Sequence, residues 1–295
     1  MSILGQYKNG NYSVMLMSDG TKIRYNKDNF FLPERPESMD IKINNRCDMG
    51  CQMCHENSTP DGKHGDILDL PFFDTLLPYT EIAIGGGNPL SPPDLVLFLK
   101  QLKERKLIPN MTVNQFHFMQ NLDFITELVD KKLIYGLGVS LMSVTDAFIT
   151  AIQQFQNAVI HAINGIVHPM QLENLAHKNL KILILGYKEF RRGEIMYKNQ
   201  SAAIEEIKSM LYDKLPTIIN DNWFNIVSFD NLAIKQLKPQ RIMSEDEWNE
   251  FYMGDDGQFT MYIDLVNREF AKSSISTERY PLENDIKIMF DKIRN

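Results

Sequence analysis

Apolar residues recur along this chain in two rhythms. Short alternating or wholly apolar runs occupy 39–44, 81–86, 111–115, 136–142, 157–163 and 181–187, and each predicts a strand. Between them, apolar residues fall at helical spacing near 72–78, 92–105, 121–132, 145–155 and 169–178. In 121–132, Leu122, Ile125, Leu128 and Val129 share one stripe. Pro92-Pro93 suits the first turn of the helix that begins there. A further helix over 201–215 would bury Ile204, Ile207, Leu211 and Leu215. Six strand–helix repeats predict an α/β fold with a parallel sheet and right-handed crossovers. A full or partial βα barrel satisfies that pattern, and so does an open doubly wound sheet.

The two ends break the rhythm. Residues 11–25 predict a β-hairpin turning at Asp19-Gly20, and 26–38, with Pro33 and Pro36, read as a linker. After residue 216, strands are expected at 223–230 and 259–266 around a short helix near 245–253. The expected organisation is a hairpin and linker over 1–38, a core over 39–215 and an extension over 216–295. That extension is expected to belong to the same domain as the core and to shape a substrate site. A length of 295 residues lies at the upper end of what one hydrophobic core supports, so one domain or two remain open.

Composition narrows the class. Hydrophobic residues at 43% and charged residues at 23% exclude a disordered chain. A net charge of −7 without a long basic run argues against non-specific binding to nucleic acid or an anionic membrane. No run approaches the roughly 18 apolar residues of a membrane span, and the N-terminus lacks the basic and apolar segments of a signal peptide. A cytoplasmic location is expected.

The three cysteines all lie within Cys47-Asp-Met-Gly-Cys51-Gln-Met-Cys54, just after the first expected parallel strand. So few cysteines make no disulfide scaffold. Three thiolates on one loop can converge on a soft metal centre, with Gly50 allowing the loop to turn tightly. Two centres fit these residues. With the adjacent His55 they make a Cys3His zinc set, in which case the chain would be a non-catalytic interaction module. Structural zinc sites commonly draw ligands from two knuckles, and only one is present, which favours an iron–sulfur cluster with one iron lacking a protein ligand.

The CxxxCxxC spacing after a first strand resembles the signature of the radical S-adenosylmethionine superfamily. Met53 stands where that family usually has an aromatic residue. One strand later, Gly86-Gly87-Asn88-Pro89-Leu90 resembles the family's GGEPL turn at four of five positions, with Asn88 in place of the acid. The resemblance implies a partial (β/α)6 TIM-like barrel and one 4Fe–4S cluster held by Cys47, Cys51 and Cys54. It implies reductive cleavage of S-adenosylmethionine to a 5′-deoxyadenosyl radical that takes hydrogen from a substrate. An external electron donor of the flavodoxin or ferredoxin type would supply the reducing equivalent.

The resemblance also assigns cofactor contacts. Met53, Gly86, Gly87, Asn88 and Pro89 lie at the methionine end, with Asn114 and Ser140 at the ribose or carboxylate. Gly186 and Tyr187 would flank adenine, and Arg192 or Lys188 would reach a carboxylate. The fifth strand, with His161, matches only loosely, and His161 reads as a core histidine. No cysteine remains for a second cluster. In the C-terminal region, Ser228, Asp230, Tyr262, Asp264, Ser273 and Ser274 are candidates for lining a substrate pocket. The substrate itself (small molecule, nucleotide or protein) is not named by any of these residues.

Overall fold

In the computed structural model, which describes residues 2–28 and 30–294, the chain opens with three antiparallel strands. They are β1 (Ile3–Asn9), β2 (Tyr12–Met17) and β3 (Lys22–Tyr25). The expected hairpin over 11–25 is β2 and β3, turning at Asp19-Gly20. β1 is an added strand, joined through Gly10 at φ +61, a conformation glycine adopts without strain.

The body then alternates strand and helix. β4 (Ser38–Asn44) is followed by a 3-10 turn at Pro71–Thr75, where a longer helix was expected. β5 (Glu81–Gly86), α1 (Leu95–Glu104), β6 (Ile108–Asn114), α2 (Gln115–Gln120) and α3 (Leu122–Asp130) come next. They lead to β7 (Gly136–Ser140), α4 (Asp146–Ile152), β8 (Ala158–Ile163), α5 (Pro169–Leu175) and β9 (Lys181–Leu185). The expected 201–215 helix is the later part of α6 (Arg192–Asn220), which bends at Gln200 and runs on through Pro216. After it come β10 (Ile226–Phe229), α7 (Asn231–Leu237), α8 (Glu245–Phe251), β11 (Thr260–Asp264), β12 (Glu269–Ala271), β13 (Tyr280–Pro281) and α9 (Ile286–Lys292).

All strands from β4 on join one sheet, in the order β10-β9-β8-β7-β6-β5-β4-β11-β12-β13. From β10 to β11 every neighbouring pair is parallel. The six expected parallel strands are thus consecutive, and the C-terminal region adds a parallel neighbour on each side. β11 lies directly against β4, so residues 216–295 are built into the same sheet as the core.

Alternation along each strand separates two environments. Met39, Ile41 and Ile43 of β4, Met111 and Val113 of β6 and Ile182 and Ile184 of β9 are buried against Phe98, Leu99, Leu128 and Phe148 of the covering helices. The positions between them, among them Asp40, Asn110, Thr112, Gly138 and His161, line a cavity of about 1270 Å³. The β2–β3 turn, Ser18–Thr21, lines the same cavity at the N-terminal ends of the strands, where Asn157 Nδ2 donates to the Ser18 carbonyl (3.1 Å).

A buried charge cluster fixes that three-stranded sheet to the body. Glu37, fully buried beside the start of β4, accepts from Arg24 Nε (2.8 Å), Arg24 Nη2 (3.0 Å) and the Tyr12 hydroxyl (2.6 Å). Lys22 bridges Glu37 (3.5 Å) to Glu81 at the start of β5 (2.6 Å). No described helix is long and apolar enough to cross a membrane.

Candidate functional site

At the opposite, C-terminal ends of the strands, β4 runs into the cysteine loop and β5 into the glycine loop, and the two are joined. Asn44, the fully buried last residue of β4, makes the seam: its Nδ2 donates to the Asn88 carbonyl (2.7 Å) and its Oδ1 accepts from Arg46 N (3.0 Å). Backbone bonds complete it, from Gly87 N to Asn44 O (2.9 Å) and from Asn88 N to Arg46 O (2.7 Å). Gly86 (φ +117) and Gly87 are glycines for a steric reason. A Cβ would come within 2.4 Å of the Asn44 carbonyl oxygen at Gly86, and within 2.2 Å of that of Arg46 at Gly87.

Three further contacts hold the cysteine loop. His117 of α2, buried, bonds Asp48 Oδ1 through Nε2 at 2.7 Å. From the start of α6, Arg191 Nη1 donates to the Glu56 carbonyl (3.1 Å) and Arg192 Nη2 to that of Ser58 (2.7 Å). The loop itself turns at Gly50 (φ +59).

Cys47, Cys51 and Cys54 are all free thiols, half-buried, lining the cavity mouth. Burial pushes the Cys51 thiol up, reinforced by Cys54 and Cys47, and burial likewise pushes Cys47 up. Burial thus favours the neutral thiols, and a soft positive centre is what would stabilise them as thiolates here. A single tetrahedral zinc would hold its sulfurs about 3.8 Å apart, from Zn–S bonds of about 2.3 Å. The three sulfurs do not gather that closely: among the described residues, the potential ligand trio lying within 4.8 Å of one another is Cys47, Asp48 and His117, whose histidine and aspartate already bond each other. His55 turns away, its Nε2 lying 3.2 Å from Lys188 Nζ and 3.4 Å from Glu56. The donor set therefore suits a multinuclear cluster better than one Cys3His ion.

Behind the loop lies a saturated polar cluster. Glu56 meets Lys42 (3.1 Å) and the Tyr262 hydroxyl (3.0 Å), and Lys42 meets Asp264 (3.2 Å). Burial would raise the Glu56 carboxyl, but His55 and Lys42 outweigh it and hold it well below the usual carboxylate range.

The other expected residues divide. Met53, Gly86, Gly87, Asn114 and Ser140 line the cavity, as do Lys188, Ser228, Asp230, Tyr262 and Ser274. Asn88 and Pro89 do not line the cavity, and the Asn88 side-chain oxygen accepts from Leu90 N (3.1 Å). Asn114 Oδ1 caps α2 by accepting from Phe116 N (2.8 Å). Gly186 and Tyr187 follow β9 but are buried outside the cavity, with the Tyr187 hydroxyl donating to the Gly193 carbonyl (2.8 Å). Arg192 is spent on the loop backbone, and its Nε is buried without a partner. Asp264 is buried with Lys42, and Ser273 bonds Ser276.

Two residues need correction or addition. His161, expected in the core, faces the cavity, and burial pushes its imidazole down to about 4, so it is neutral near pH 7. Asp40, which was not singled out, stands in the same cavity on β4.

No protein-family profile matches the chain, and no curated protein sequence matches it. Among solved structures it resembles SuiB of Streptococcus suis. Against SuiB bound to S-adenosylmethionine the TM-score is 0.56 at 16% identity, covering 85% of this chain and 64% of that one. Against SuiB bound to the precursor peptide SuiA it is 0.56 at 14%, covering 88% and 65%. A third SuiB structure aligns over 100% of this chain and 87% of its own, with TM-score 0.61 at 12% identity. The chain thus spans just under two thirds of SuiB in the first two alignments. At such identities the likeness is one of fold, and this chain shares with SuiB a mixed α/β architecture built on a large parallel sheet.

Proposed function

We propose that this chain is a radical S-adenosylmethionine enzyme with a single 4Fe–4S cluster on Cys47, Cys51 and Cys54. The observation that carries the reading is the seam: the three-thiol loop and the glycine loop meet through Asn44, Gly87 and Arg46 at the mouth of one large cavity. Reactive sites of βα architectures lie at this end of the strands. The fold shared with a protein that binds S-adenosylmethionine supports the reading further.

Cys47, Cys51 and Cys54 would hold the cluster, which would supply the electron for reductive cleavage of S-adenosylmethionine. The chain's own residues position and enclose. The half-buried thiols would be the cluster's ligands, and Met53, next to Cys54, lines the cavity with them. Gly86 and Gly87, whose missing side chains admit the backbone of the cysteine loop, bring their own backbone to the cavity beside it. Asn114 and Ser140, at the ends of β6 and β7, offer polar atoms to the ribose or carboxylate. The helix-backed strands wall the cavity and limit the water that reaches a reactive intermediate. An external donor of the flavodoxin or ferredoxin type delivers the electron, and the C-terminal region shapes the substrate site.

The test is anaerobic reconstitution followed by metal analysis and an assay of 5′-deoxyadenosine from dithionite-reduced protein. About four irons per chain and nucleoside formation that Cys51→Ala abolishes are expected. One colourless zinc per chain, or cluster-replete protein forming no 5′-deoxyadenosine, would overturn the assignment.

A further inference from the structure

We infer that the cavity beneath the cysteine loop binds a cationic substrate, its ammonium or guanidinium group held by Asp40 and its neutral polar groups by His161. The inference rests on the enzymatic reading above and adds to it the chemical class of the substrate.

The cavity is large for one ligand. Sites for single small molecules commonly measure about 300–1,000 Å³, and this one measures about 1270 Å³. It therefore has room for a second molecule besides one at its mouth. Asp40 lies deeper along β4 than Lys42, Asn44 and the cysteines, so its partner occupies the inner part.

Of the carboxylates lining the cavity, all but one are engaged. Glu56 is bound by Lys42 and Tyr262, Glu81 by Lys22, Asp230 by Gly186 N and Ala233 N, and Asp19 by Thr21 N. Asp40 accepts no hydrogen bond and forms no ion pair among the described residues. Burial pushes its carboxyl up to about 6, Lys188 opposes that rise, and Asp230, Asp256 and Glu56 add to it. The Lys188 ammonium is itself committed to His55 and Ser274. Asp40 is exposed to the cavity rather than packed against protein. Its carboxylate meets no counter-charge from the walls, and a cationic ligand supplies one.

His161 stands on β8, four strands from β4 around the sheet that encloses the cavity. Its ring lies over Gly138, where a Cβ would fall 2.4 Å from its Cε1, with Thr112 Oγ1 closing the other side of that spot. The absent side chain at Gly138 is what lets the imidazole lie flat. Among the described residues neither ring nitrogen has a hydrogen-bond partner, so the neutral ring offers one donor and one acceptor without repelling a cation.

The test uses cluster-reconstituted full-length protein and two probes of one shape, methylguanidinium and uncharged N-methylurea, by equilibrium binding. The wild type is expected to prefer methylguanidinium by at least tenfold, and Asp40→Asn to erase that preference. His161→Phe, which keeps a ring over Gly138 but removes both nitrogens, should weaken both probes about threefold or more. Equal affinity of the wild type for the two probes, or a preference that survives in Asp40→Asn, would overturn the inference. Probe binding needs no cofactor cleavage, so its failure is separable from failure to form 5′-deoxyadenosine.

Discussion

Gly87 and Arg46 touch so closely that a Cβ on the glycine would stand 2.2 Å from the arginine's carbonyl oxygen. The residue before the first cysteine and the middle of the glycine loop are one packed unit. Displacing either loop displaces both.

Gly87→Ala is therefore expected to force the two loops apart and to cost about 1–3 kcal/mol in stability, as overpacking does. Iron retained after reconstitution should fall with it. Gly85→Ala is the control, because a Cβ there meets nothing within 4 Å. Thermal melting and iron assays of both variants check the expectation; equal losses would show that the seam is not the cause.

Glu37→Gln removes the centre of the cluster that docks the N-terminal sheet. Arg24 and Lys22, each with side chains only 10% exposed, would lose their common counter-charge. Breaking one partner of such a buried set costs about 3–5 kcal/mol. The pH dependence has a definite sign. Burial would raise the Glu37 carboxyl, but Arg24, Lys22 and Tyr12 outweigh it and hold it below its unfolded value. The folded state thus gains stability above about pH 4.5, the ordinary carboxylate range, and loses it as pH falls through the lowered folded value. Denaturant melts across pH 3–7 should show this slope in the wild type and a flatter one in Glu37→Gln.

His117→Ala deletes the bond to Asp48 from a buried ring. A loss of about 1.5–3 kcal/mol follows from a hydrogen bond to a charged group. Protease cleavage should rise within 45–60, where the cysteine loop loses its tie to α2. Limited proteolysis with mass spectrometry reads this directly, and unchanged cleavage would show that Asn44 and α6 suffice.

Tyr187→Phe leaves the Gly193 carbonyl without its donor at the start of α6. The expected cost is about 1 kcal/mol, with the fold intact. Equilibrium unfolding measures it.

Much of this was legible from spacing alone. The cysteine triplet, the glycine run and the strand before each are local patterns, and local patterns survive translation into structure. Asp40 and His161 escaped for a physical reason. In an isolated strand, MDIKIN alternates as though one face met solvent. In a parallel sheet covered by helices neither face does so, and polar alternate positions such as Asp40, Asn110, Thr112 and Ser140 must then face an internal space. Combining the parallel prediction with the alternation would have found the cavity. Arg192, Asn88 and Tyr187 were placed by motif, but their hydrogen bonds go to Ser58, Leu90 and Gly193. The Ser58 partner lies 134 residues away and has no signature in sequence, whereas the Leu90 and Gly193 bonds are local and compete with the motif's role for the same side chains. The bend at Gln200 and the passage of α6 through Pro216 likewise depend on packing that a proline rule does not see.

The turn Ser18–Thr21 makes the N-terminal sheet part of the chamber wall. That sheet's hold on the body runs through Glu37 and Asn157. A change that undocks it therefore reaches the inner end of the cavity without touching a cysteine.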